Sequence, residues 1–116
     1  MPEVLISGYL HTRSESAARR ILDRLGRACG LDLRAASLTP RPGQPGEVGF
    51  LLTVPWAETT ARGAWFDLPA RFASVVGRWS TPGPPVETEG RWDFALTSER
   101  TSLPGLICLT VEARST

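Results

Sequence analysis

His11 is the single histidine of this sequence and the side chain whose ordinary pKa lies nearest neutrality. It ends an alternating run just ahead of a helix signal, where an imidazole can act as a general base or hold an anion. Catalysis needs a nucleophile or an orienting carboxylate beside it, and no Ser-His-Asp or Cys-His constellation can be inferred from the chain alone. His11 therefore reads as a solvated or hydrogen-bonded histidine. Glu87, Glu89 and Asp93 form a second candidate group, as an acid/base pair or as cation ligands. Alternate strand residues stand about 7 Å apart in a row, whereas a cation needs oxygens that converge on a point. The expectation is no metal site, no catalytic set and no cofactor.

Cys29 and Cys108 show neither metal-type spacing nor a C-x-x-C pair, and both are expected to be reduced and buried. Trp56, Trp79 and Trp92 fall in phase with apolar stripes and read as packing residues. Trp65, beside Phe66, is either a core plug or an exposed anchor. All thirteen basic residues are arginine, a usage that reads as GC-rich coding rather than as phosphate recognition. Arg20, Arg24 and Arg27 share a helix stripe, but without interleaved aromatics or a glycine-rich loop they make a poor nucleic-acid signal.

Positioning these groups falls to elements that the hydropathy pattern marks out. Ala17, Ala18, Ile21, Leu22, Leu25, Ala28 and Cys29 recur at three- and four-residue spacing, which predicts an amphipathic helix over 12–30. Thr12 with Glu15 has the form of a capping box, Ser14 is a rival N-cap, and Gly30 stands where a left-handed residue ends a helix. Residues 4–11 alternate with apolar groups on both faces, as a central strand does. Residues 31–39 alternate imperfectly, then meet an exposed proline- and glycine-rich connection over 39–46. Over 48–56 the strand pattern is strongest, with Val48, Phe50, Leu52, Val54 and Trp56 on the core side. Residues 57–66 are ambiguous between helical and extended chain. A second helix is expected to start with Asp67 as N-cap and Pro69 in its first turn, burying Leu68, Phe72, Val75, Val76 and Trp79. A proline loop over 81–85, a half-exposed strand over 86–96 and an interior strand over 106–113 complete the chain. The order β-α-β-β-α-β-β predicts a single α+β domain over 1–116: one mostly antiparallel sheet with two helices on one face, ferredoxin-like with an added strand.

At 116 residues the chain is long enough to bury one core without disulfides. A formal net charge of +1 argues against a general nucleic-acid or membrane-surface binder. The N-terminal residues lack a signal-peptide pattern and no apolar run approaches a membrane span, so a cytoplasmic protein is expected. In size, architecture and lack of active-site motifs the chain resembles bacterial immunity proteins, small inhibitors that neutralise a co-encoded toxin by occluding its active site. The resemblance covers no specific motif and transfers no residues. It implies a non-enzymatic binding protein with a protein partner, a cognate toxin, and it leaves a homodimer open. The expected partner surface is the outward row Glu87, Glu89, Arg91 and Asp93, with Trp65 as the next place, because a rigid, mostly negative strand face suits the basic groove of a toxin that acts on nucleic acids. The competing expectation is a ferredoxin-like small-ligand binder or small enzyme, dimeric if a second copy completes it, with a pocket near His11 and Tyr9.

Overall fold

A computed structural model describes residues 2–81 and 83–115. The elements follow one another as β1 (Glu3–His11), α1 (Glu15–Cys29), β2 (Ser37–Pro40), β3 (Glu47–Pro55), α2 (Ala61–Arg71), β4 (Asp93–Ser98) and β5 (Leu106–Arg114). The strands form one sheet in the order β2-β3-β1-β5-β4, with every neighbouring pair antiparallel, which makes the fold α+β. β1, apolar on both faces, lies at the centre. Among the described residues no helix is long and apolar enough to cross a membrane.

Ser14, in extended conformation, is the N-cap of α1, and its hydroxyl accepts a hydrogen bond from the Ala17 N–H at 3.2 Å. The Thr12 hydroxyl instead accepts from the Ser14 N–H at 3.2 Å, so of the two expected caps Ser14 is the one formed. Gly30 closes the helix at φ 69°, a left-handed conformation that costs a residue with a Cβ free energy. The apolar stripe Ala18, Ile21, Leu22, Leu25 and Cys29 is buried, each of the larger side chains contributing about 1.5–3 kcal/mol. α1 packs on β1, and α2 reaches the same sheet face through Trp65, whose ring meets Phe94 edge-on at 5.2 Å. Hydrogen bonds from Arg71 Nη1 to the Cys29 carbonyl (3.5 Å) and from Ser74 Oγ to the Ala28 carbonyl (3.3 Å) tie the ends of the two helical segments together. On that covered face Val4, Ile6, Leu10, Phe50, Phe94, Leu96, Leu109, Val111 and Ala113 are all buried in one cluster. Ser98, polar and buried, donates to the Arg100 carbonyl at 2.7 Å.

Gly8 marks where the sheet is tightest. A Cβ there would stand 2.2 Å from the Cys108 carbonyl oxygen and 3.0 Å from Phe50 Cε1. The pairing of β1 with β5 shifts register just beyond, between Tyr9 and Leu10, as a β-bulge does.

Three expectations need correction. The second helix starts at Ala61 rather than at Asp67, because Thr60 provides the cap: its hydroxyl accepts the Gly63 N–H at 3.0 Å. Asp67 lies inside the helix and accepts the Trp56 indole N–H at 2.8 Å. Pro69 sits in the last turn, not the first, where its missing N–H deprives the Trp65 carbonyl of a donor two residues before the helix ends. Phe72, Val75 and Val76 are buried as expected, but from turns that follow the helix.

Residues 86–92 are not a strand. Thr88 and Arg91 exchange N–H to carbonyl bonds of 2.9 Å each, and Glu89 (φ 53°) and Gly90 (φ 74°) form the left-handed pair between them, so the chain reverses in a two-residue turn. A glycine inside an apparent strand pattern was the local warning. Residues 31–36, expected as strand, form a loop. The Asp32 carboxylate accepts from the Arg34 N–H and guanidinium, while Arg19 Nη1 donates to the carbonyls of Arg34 and Ala36 at 3.1 and 2.7 Å. Side chains that satisfy the backbone locally in this way compete with ladder formation. In the expected proline loop, Pro82 lies outside the described residues.

Candidate functional site

Among the described residues no helix lies on the sheet face opposite α1 and α2, and the cross-strand register arranges its side chains in rows. Pro55, Glu3, Arg114 and Asp93 form one row, and Thr53, Leu5, Glu112 and Ala95 the next. Ser37, Leu51, Ser7, Thr110 and Thr97 make the third row, and Thr39, Gly49, Tyr9 and Cys108 the fourth. Leu51 is 48% exposed, and Leu5, Tyr9 and Cys108 are half-buried. Much of this surface is therefore hydroxyl-bearing or small, with a few larger apolar side chains set into it.

Its charges are unequally matched. Arg114 pairs with Glu3 at 3.2 Å, and Arg41, reaching over from the β2–β3 turn, pairs with Glu47 at 2.9 Å. The Arg41 guanidinium also lies 4.0 Å from the centre of the Tyr9 ring, a cation–π contact. Glu112 and Asp93 are exposed and make no ion pair among the described residues.

Two shallow depressions meet on this face. One, of about 470 Å³, is walled by Pro40, Arg41 and Pro42 over a floor that includes Ser7, Tyr9, Gly49, Cys108 and Thr110. The other, of about 520 Å³, lies between Pro84, Pro85 and Val86 on one side and Asp93, Ala95 and Arg114 on the other. Glu112 lines both.

The residues expected to bind a partner are dispersed by this geometry. Asp93 lies on β4 and faces the open side with Glu112, whereas Glu89 and Arg91 belong to the exposed turn over 88–91 and Glu87 lies just before it. The four do not form a strand row. Trp65 packs against Phe94, whose side chain points to the covered face, so Trp65 and Asp93 serve opposite sides of the sheet. Tyr9 lines a depression but His11, exposed and in register with Glu47, does not. Glu112, Arg41 and Leu51 were not singled out from sequence. The available signal was that residues 4–11, 48–56 and 106–113 carry apolar groups on their second face too.

The two thiols are also separated. Cys29 is buried at the end of α1, and its burial pushes the thiol up to about 11, against the opposing pull of the Arg71 charge. Cys108, expected to be buried, is half-exposed on the open face, so the sheet stands between the two sulfurs. Elsewhere, hydrogen bonds from the Arg34 side chain lower the Asp32 carboxyl to about 2, and the Thr60 N–H followed by the Thr60 hydroxyl lowers Glu58. Among the described residues no three His, Cys, Asp or Glu side chains gather as metal ligands would. No protein-family profile, curated protein or solved structure matches this chain.

Proposed function

We propose that this chain is a non-enzymatic binding protein, an immunity-type inhibitor that neutralises a cognate bacterial toxin by direct protein–protein contact. On this reading the sheet is ferredoxin-like: β3 fills the gap left between β1 and β2 by the α1 crossover, and β4 is the strand added outside β5. The observation that carries the functional reading is the open sheet face. Three nine-residue strands at the centre, flanked by β4 of six residues and β2 of four, at about 4.8 Å spacing and about 3.3 Å rise per residue, present a platform of roughly 600 Å² that is about 30 Å long only over its three central strands. That approaches the about 800 Å² per partner of a standard protein interface once surface relief is included. Its half-exposed Leu5, Tyr9 and Leu51 are the kind of anchors a protein partner covers.

The test is to capture the protein bound by the tagged chain in its source cells and to express that protein alone in a bacterial host. Growth arrest that is relieved when the chain is co-expressed supports the reading. A captured protein that is harmless, or whose toxicity the chain leaves unchanged, overturns it.

One observation favours a small-ligand binder as the second reading. The depression beside Tyr9 has a volume within the about 300–1,000 Å³ range of ligand sites, and the hydroxyls of Ser7, Thr39 and Thr110 offer hydrogen bonds there. Its openness to solvent places this reading second, since ligand sites enclose most of what they hold.

A further inference from the structure

We infer that the open face takes an α-helix of a second protein, laid along the strands, with a lysine or arginine of that helix over Glu112. This rests on the protein-binding reading above and names the chemistry of the partner. The argument starts from charge. Four carboxylates, Glu3, Glu47, Asp93 and Glu112, share the face with two guanidiniums, and each of those already holds one carboxylate. The carboxylates left without an ion pair among the described residues are Glu112 and Asp93, diagonal neighbours across β5 and β4; Arg91 borders the depression at Asp93 but not those at Glu112, so Glu112 is the less balanced of the two. Two copies packed face to face would set one negative surplus against another, which like-charge repulsion opposes. A cationic occupant satisfies both.

Shape selects the helix. The floor around Glu112 is built of Ser7, Thr110 and Ala95, small enough for a helix backbone to approach closely. Arg41 with Pro42 stands at one margin and Pro84 to Val86 at the other, and Glu112 lies where the two depressions meet. A helix about 10–12 Å across fits between margins separated by roughly the width of the sheet, and about twenty residues match the strand length. Leu5 stands directly opposite Glu112, with Leu51 one row farther along. Glu112 on β5 and Leu51 on β3 flank Leu5 on β1 at two strand spacings, about 10 Å, so a helix laid over β1 covers Leu5 with Glu112 at one side and Leu51 at the other.

The experiment is an amide NMR titration of the full chain with an 18-residue helical peptide of leucine and lysine, and with its counterpart carrying glutamate for lysine. The lysine peptide is expected to shift the amides of Leu5, Ser7, Thr110 and Glu112, and the glutamate peptide to leave them in place. Reversal of both charges, Glu112→Arg with Asp93→Arg, should weaken the lysine peptide at least tenfold. Glu99→Arg, in the β4–β5 turn, should not. Circular dichroism checks that each variant is folded. Shifts confined to the turn at Glu89, equal response to both peptides, or indifference to the double reversal would overturn the inference. The two proposals fail separately. Peptide docking without neutralisation of any toxin removes the inhibitor reading and leaves the helix site. Neutralisation that survives the double reversal does the opposite.

Discussion

The two faces of this sheet are made by the same strands and treated in opposite ways. On the covered face Ile6, Leu109 and Val111 are fully buried under α1 and α2. One residue away along each strand, Ser7, Cys108 and Thr110 meet solvent. Strand alternation makes both faces at once, so the contrast is set by what the chain lays over them. Both helices go to one side, and among the described residues no helix covers the apolar groups of the other, where Arg41 lies over Tyr9.

This contrast can be broken by mutation. Leu25→Ala, which empties a site beneath α1, should lower stability by about 2–5 kcal/mol in chemical denaturation, whereas Leu51→Ala on the open face should cost less than about 1 kcal/mol. Equal losses would mean that both faces are packed. Gly8→Ala should cost about 1–3 kcal/mol, because the new methyl group meets the Cys108 backbone from β1 and that backbone cannot swing aside. A melting temperature unchanged by this substitution would contradict the close approach of β1 and β5.

The thiols report on the two faces chemically. Cys108 should react with a disulfide reagent in the native protein while Cys29 stays protected until unfolding. Because the folded Cys29 pKa is raised from 9.0 to about 11, unfolding releases a more acidic thiol. Stability is therefore fully held below about pH 9 and declines as pH rises toward 11. Cys29→Ala should flatten that decline, and a slope unchanged in the variant would locate its origin elsewhere. The smallest effect concerns the exposed turn. Glu89 holds a left-handed conformation that asparagine or glycine adopts more readily, so Glu89→Asn should raise stability by a few tenths to about 1 kcal/mol. Destabilisation of the same size would mean that residues 88–91 do not form this turn.

Local pattern was sufficient for α1. Its stripe repeats at the helical period, Ser14 caps it and Gly30 ends it, and each of these signals acts within a few residues. The same is true of the alternation in β1, β3 and β5. Local pattern misled where two local solutions competed. Thr60 and Asp67 are both competent caps, and the choice fell to Thr60 because Asp67 has a distant partner in the Trp56 indole. Over residues 86–96, alternation suggested a strand, but the chain has to reverse at Glu89 and Gly90 for residues 93–98 to pair with β5. A row of acidic residues on paper thereby became a turn plus one strand carboxylate.

The sequence by itself determined the helical stripe, the strand periods and the absence of excess charge, since all of these depend on spacing along one chain. Only the tertiary structure decided that Glu112 stands beside Leu5 and Ala95, that Arg41 folds onto Tyr9, and that Cys29 and Cys108 lie on opposite sides of the sheet. Those neighbours come from strands far apart in the chain, and register between such strands is set by which faces bury together, a property of the whole core that no single segment encodes.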